Sequence, residues 1–291
     1  MMPFFFSTDM FRPAYRLALL MLGGVLLFGA ACGSDETLIL ATTTSTFDSG
    51  LLDELEPLFE EQTGLNLKII AVGTGQALEM GRRGDADVLL VHAPTAEEEF
   101  VEEGYGVNRQ LVMHNDFVIV GPDDDPIDMR SAKDAVTALL GLRTSEMTFV
   151  SRGDDSGTHK RELSLWNELG FDPAGEDWYL ESGQGMGATL QIANQREAYT
   201  LTDRATYLAL KDVLDLEILF EGDPGLLNIY HVMQVNPDTS GDINASGAAA
   251  FVDFMVAGET QAIIAEFGID KFGQPLFVPD AGRSVAELTE E

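Results

Sequence analysis

The chain has 291 residues, 45% of them hydrophobic and 9% aromatic, which is enough for a buried core and for two domains of ordinary size. Asp and Glu number 49 against 17 Lys and Arg, a formal net charge of −32. That balance excludes nucleic acid and an anionic membrane surface as partners, and the acidic excess reads as a solvated surface. The single cysteine, Cys32, excludes an internal disulfide.

Arg12 and Arg16 precede an apolar run over residues 17–31 that suits a signal-peptide core and is short for a membrane span. The run ends in Gly29-Ala30-Ala31-Cys32-Gly33-Ser34, which resembles the lipobox of bacterial lipoproteins. That resemblance implies export, with Cys32 lipid-modified and the chain held at the outer face of the membrane or in the periplasm.

Residues 37–41 form a short β-prone run, and Thr42, Thr43, Thr44, Ser45 and Thr46 follow at once. Leu51, Leu52, Leu55, Leu58 and Phe59 recur at helical spacing, so this turn stands at a helix start, with Pro57 expected to kink or divide the helix. One cap needs one hydroxyl, and the surplus points to a binding loop. Residues 67–72 read as a second strand, and Gly73, Thr74 and Gly75 turn the chain into a helix that runs through Arg83. Residues 85–91 are a third strand whose continuous apolar run implies burial on both faces. Strands alternating with helices imply right-handed parallel crossovers, which place the three strand-to-helix loops along one edge of a sheet, where ligands of open α/β sheets sit.

Residues 117–120 form a fourth strand, ended by the polar turn 121–126, a candidate domain crossing. Asp123, Asp124 and Asp125 read there as a solvated turn, not a metal site. A helix over 132–140 and a β-prone run over 147–150 lead to Ser151-Arg152-Gly153-Asp154-Asp155-Ser156-Gly157-Thr158-His159-Lys160, before a helix ended by Gly170. At such a helix start the first N–H groups lack intrahelical partners and the macrodipole is positive. Arg152, Ser156 and Thr158 add donors, so the loop describes an anion site, although an ordinary turn capped by Ser156 accounts for it equally well by itself. The glycine-rich turn within 181–190 and the junction at 198–207, with Thr202 and Arg204, repeat the strand-to-helix pattern. Residues 229–235 can cross back to the first unit, 245–267 read as helical, and 279–291 as a frayed acidic tail.

Three motifs in this order, Thr42-Thr43-Thr44-Ser45, the loop from Ser151 to His159, and Tyr199-Thr200-Leu201-Thr202-Asp203-Arg204, resemble the tungstate-binding proteins of bacterial ABC importers, over residues 37–275. The resemblance implies the α/β type II periplasmic-binding fold, two α/β lobes joined by two crossing strands with the ligand in the cleft. It implies no chemistry, no metal and no cofactor, but a monomer that captures a tetrahedral oxyanion and delivers it to a permease driven by a cytoplasmic ATPase. The corresponding segments are a signal peptide (1–31), a lipoprotein linker (32–36), lobe 1 (37–121 and 232–278), lobe 2 (122–231) and the tail. Thr43 with its neighbours Thr44 and Ser45, and Arg152 with Thr158, are the implied ligand contacts; Thr74, Ser156, Gly157, Thr202 and Arg204 complete the candidate set.

A fully deprotonated tetrahedral dianion offers only acceptors, so its site needs only donors, and these loops supply N–H groups, hydroxyls and a guanidinium. A phosphate site, carrying a proton, benefits from a carboxylate acceptor such as Asp154 or Asp155; pairing of those carboxylates with arginine favours a fully deprotonated anion. Molybdate shares the shape of tungstate and no spacing separates the two. An exported hydrolase with Ser156 as nucleophile and His159 as base lacks a Gly-x-Ser-x-Gly elbow and an assignable orienting carboxylate. An anion-sensing module remains a third class. His92, His114, His159 and His231 are dispersed without metal spacing and read as packing or surface residues.

Overall fold

The computed structural model describes residues 36–289, so Cys32, the apolar run before it and the last two residues lie outside the described part. The chain begins with β1 (Thr37–Thr43), α1 (Thr44–Asp48), α2 (Leu51–Thr63), β2 (Asn66–Val72), α3 (Thr74–Arg83), β3 (Val88–Val91) and α4 (Pro94–Glu102). β1 pairs in parallel with β2 on one side and β3 on the other, so the predicted crossovers are present and all three strand-to-helix loops open along one edge. Val88 to Val91 are fully buried, as their unbroken apolar run requires. α2 does not divide at Pro57 but runs through it. Leu51, Leu52, Leu55 and Phe59 lock one face of the helix into the core, and this packing outweighs the backbone bond that proline removes.

The next strand, β4 (Gly106–Pro122), is the spine of the molecule. Up to Asp116 it pairs with β9 (Leu227–Val235), and from Phe117 onward with strands of a second sheet. The change of sheet thus falls between Asp116 and Phe117, ahead of the expected boundary after Gly121. The run 117–120 marks only the second-sheet part, because Arg109, Gln110 and His114 interrupt the apolar pattern of the first.

The second lobe is built from α5 (Ala135–Ser145), β5 (Phe149–Ser151), α6 (Gly157–Glu168), β6 (Tyr179–Glu181), α7 (Met186–Gln195), β7 (Thr200–Asp203), α8 (Arg204–Leu210) and β8 (Leu216–Phe220), with β5 and β6 forming a small sheet of their own. α5 starts later than the expected residue 132 because Asp134 caps it, accepting from the Thr137 amide at 2.7 Å. β5 and β6 are parallel, while β7 and β8 lie antiparallel to β4. Ile119, Leu139, Phe149, Trp166 and Tyr199 form the core of this lobe, and Leu38, Leu40, Phe59, Val88 and Phe251 that of the first.

β9 returns the chain to the first sheet, antiparallel to β3. The single helix expected over 245–267 is two, α9 (Ala245–Val256) and α10 (Gly258–Glu266), because Ala257 between them is extended, with ψ 143°. α11 (Ile269–Phe272) and β10 (Val278–Pro279) follow, then α12 (Val285–Thr289). The expected frayed tail is docked as far as it is described. The Asp280 amide bonds to the Val112 carbonyl at 2.9 Å, its carboxylate accepts from His114 Nδ1 at 2.6 Å, and Leu288 is buried.

Candidate functional site

The loops after β1, β2 and β3 in the first lobe meet the loops after β5 and β6 in the second. Arg152 Nη2 donates to Thr44 Oγ1 at 3.3 Å, and the Gly75 amide donates to the Asp155 carbonyl at 3.2 Å. A Cβ on Gly185, the residue capping α7, would stand 3.5 Å from Thr44 Oγ1. The N-termini of α1, α3, α6 and α7 therefore converge on one junction, each bringing amide hydrogens that its own helix cannot satisfy.

The hydroxyl loop divides its labour. Thr42 is tied into the sheet, its Oγ1 donating to the Leu90 carbonyl at 2.8 Å. Thr43 caps α1, accepting from the Thr46 amide, and its Oγ1 lies 3.1 Å from Ser45 Oγ and 2.7 Å from Thr46 Oγ1. His92 Nε2 joins the same cluster, 3.1 Å from Thr43 Oγ1 and 3.2 Å from Ser45 Oγ. Burial pushes His92 down to about 4; Glu97 and Asn228 oppose this and Arg152 reinforces it, so the ring is neutral at physiological pH. The sequence reading missed His92, which looks like a lone dispersed histidine. Its position directly after β3, at the sheet edge shared with Thr43 and Gly73, was the available signal.

Arg152 is buried, its Nε and Nη2 both donating to Asp154 Oδ2. Asp154 Oδ1 accepts in turn from the Ser156 amide at 3.2 Å. The Asp155 carboxylate pairs with Lys160. Both acidic side chains of the loop thus engage cations of their own segment. Four buried polar atoms of the junction, Arg152 Nη1, Thr74 Oγ1, Thr158 Oγ1 and His92 Nδ1, have no hydrogen-bond partner among the described residues, and the first three are donors whatever the histidine tautomer. A buried donor left unpaired costs about 1–3 kcal/mol, so three of them at facing helix starts call for a species that only accepts.

The loop that holds Arg152 is braced from beneath. Ser151 Oγ accepts from the Gly153 amide at 3.2 Å and donates to Glu162 Oε2 at 2.6 Å. Glu162 also receives Trp166 Nε1 at 3.0 Å and the Tyr179 hydroxyl at 2.6 Å. Burial pushes Glu162 up to about 7 against these three donors, which favour the ionised form.

Thr43, Thr44, Ser45, Thr74, Arg152, Ser156, Gly157 and Thr158 are brought together at the junction. Ser156 serves as N-cap of α6, its Oγ accepting from the His159 amide at 3.2 Å, while His159 Nδ1 accepts from the Asp155 amide; the pair is not arranged as nucleophile and base. Thr202 and Arg204 are engaged with other partners. Thr202 Oγ1 donates to the Asp203 carbonyl at 3.1 Å within β7. Arg204 is committed elsewhere, its Nε bonding Asp116 Oδ1 at 2.6 Å and its Nη2 reaching both Asp116 and Glu221 at 2.5 Å. With two carboxylates already on it, this guanidinium is a clamp across the change of sheet in β4, not a free donor.

Two lobes joined through β4, with donor groups facing one another between them, are the architecture of a solute-binding protein. Residues 30–259 match the PBP superfamily domain. The chain is 51% identical over 249 residues to the tungstate-binding protein TupA of Peptoclostridium acidaminophilum, covering 85% of this chain and 87% of that protein. Among solved structures, the tungstate ABC transporter protein of Geobacter sulfurreducens is 50% identical with a TM-score of 0.73, covering 80% of this chain and 99% of that one. The tungstate-binding protein TupA of Desulfovibrio alaskensis is 44% identical with a TM-score of 0.71, covering 84% and 99%. The chain therefore belongs to the PBP superfamily and, within it, to the family of these tungstate-binding proteins.

Proposed function

We propose that this protein is the extracytoplasmic solute-binding component of an ABC importer, that it captures tungstate between its two lobes, and that it delivers the anion to a permease driven by a cytoplasmic ATPase. The observation that carries this reading is the donor set: Arg152 Nη1, Thr74 Oγ1 and Thr158 Oγ1 are buried and unpaired among the described residues, while Asp154 is occupied by Arg152 and Asp155 by Lys160. A pocket with free donors and engaged carboxylates suits an anion without a proton, which favours tungstate over phosphate. The names of the relatives at 44–51% identity support the same choice.

Charge-assisted hydrogen bonds contribute roughly 1.5–3 kcal/mol each, and about six of them, less the association cost, correspond to roughly nanomolar affinity. The net charge of −32 opposes an approaching anion. Salt screens that field beyond about 8 Å at physiological strength, so it lowers the association rate more than the affinity. On this reading the chain acts as a monomer, is exported by the segment before Cys32, and is anchored to the membrane by lipid on that cysteine. Titration calorimetry with tungstate, molybdate, sulfate and phosphate tests the proposal. Tungstate is expected to bind tightly, and phosphate weakly. No heat with tungstate, or tighter binding of phosphate, overturns it.

A further inference from the structure

His92 has contacts through different ring atoms to the two lobes. Nε2 reaches the Thr43 and Ser45 hydroxyls of the first lobe, at 3.1 and 3.2 Å. Against Cε1 and Nδ1 lies Gly157, the first residue of α6 in the second lobe. A Cβ placed on Gly157 would stand 2.7 Å from both Cε1 and Nδ1 of the imidazole and 3.1 Å from the His92 carbonyl oxygen. Side-chain carbons do not approach other heavy atoms to 2.7 Å, so only glycine lets α6 come this close to the ring.

The ring has little freedom to retreat. Tyr230 lies against it with ring centroids 4.8 Å apart. The following residue is pinned as well, since the Ala93 amide donates at 2.7 Å to Oε1 of fully buried Glu97. Glu97 is fixed in turn by Arg109 and His231, each 2.8 Å from its Oε2. The imidazole is therefore a rigid stop mounted on the first lobe, touching the hydroxyl loop through Nε2 and receiving α6 at Cε1 and Nδ1.

We propose that His92 is a positioning residue that couples the Thr43–Ser45 hydroxyl loop to the arrival of α6. Seating of Gly157 against the ring sets how far the second lobe advances, and hence where the Thr158 hydroxyl and the α6 amides meet an anion already held by the hydroxyl loop. This inference rests on the tungstate-binding reading above. It assigns to Gly157 a reason for being glycine that is independent of any direct ligand contact.

A double-mutant cycle tests it, using His92→Ala and Gly157→Ala in the full chain, with tungstate affinity by calorimetry and tungstate-induced compaction by small-angle scattering. Gly157→Ala alone is expected to weaken binding about tenfold or more and to reduce the compaction, because its Cβ meets the ring only when α6 closes on it. His92→Ala alone is expected to weaken binding by a similar factor. In the double variant the 2.7 Å clashes with the ring are gone and only the 3.1 Å approach to the His92 carbonyl oxygen remains, so Gly157→Ala is expected to add no more than about a threefold further loss. Losses that multiply, or full compaction in Gly157→Ala, overturn the coupling. If His92→Ala does not fold, His92→Asn closes the same cycle with a shorter side chain and the same expected non-additivity. A wild-type protein that binds no tungstate refutes the functional reading instead, which separates the two failures.

Discussion

Asp154 takes two of the donor nitrogens of Arg152, Nε and Nη2, and leaves Nη1 without a partner among the described residues. The carboxylate thereby does two things at once. It fixes the plane of the guanidinium, so that the free N–H groups keep one direction, and it uses up the acceptor that a protonated anion would seek.

The first prediction concerns that fork. Arg152→Lys keeps the charge but replaces a planar, oriented group by a flexible ammonium that cannot serve Asp154 and a ligand in the same geometry. One charge-assisted hydrogen bond is worth roughly 1.5–3 kcal/mol, so tungstate affinity is expected to fall about tenfold or more. Unchanged affinity in calorimetry would remove Arg152 from the site.

Arg204 gives the opposite expectation. Its guanidinium holds Asp116, at the point where β4 changes sheets, and Glu221 just after β8. Arg204→Ala is expected to lower unfolding free energy in urea by about 1–2 kcal/mol, since a half-buried Asp116 loses its partner. Tungstate affinity is expected to stay within about threefold, because the donors at the α6 start are untouched. A tenfold loss of affinity with no change in stability would restore Arg204 as a ligand contact.

These two arginines mark what was legible in the sequence. The parallel strands β1, β2 and β3 and their loops follow from apolar runs alternating with helical spacing, and the junction residues follow from those loops. Arg204 reads as a site residue because it stands at a hydroxyl-rich strand-to-helix junction within the third motif; its partner Asp116 lies 88 residues away, where no local pattern can reveal it. His92 was passed over for the complementary reason: its meaning comes from Thr43, 49 positions earlier, and from Gly157, both brought to it only by the fold. The first half of β4 is hidden because partly buried polar pairs, Arg109 with Glu97 and His114 with Asp280, place polar residues in a strand that periodicity requires to be apolar.

Export gives a prediction outside the folded lobes. If Cys32 carries the lipid anchor, Cys32→Ala expressed in a host with lipoprotein processing is expected to move the protein from the membrane fraction to the soluble exported fraction, with tungstate affinity unchanged. A Cys32→Ala protein that still partitions wholly with membranes refutes the anchor.

The last prediction uses Glu162, the buried carboxylate beneath the Arg152 loop. Burial raises it from the ordinary 4.5 to about 7 in the folded protein. The folded state therefore holds a proton on Glu162 over a pH range in which the unfolded chain has lost it, and the linked stability is fully present below about 4.5 and is lost as pH rises toward about 7. Glu162→Gln removes this titration while keeping a side chain of the same shape that can accept from Ser151 or Tyr179. Plotted against pH, the unfolding free energy of the wild type minus that of the variant is expected to decline between about 4.5 and 7 and then level off. Other carboxylates titrate in both proteins and cancel in the difference. A flat difference across the window would mean that the three donors, Ser151, Trp166 and Tyr179, outweigh the burial and keep Glu162 ionised throughout.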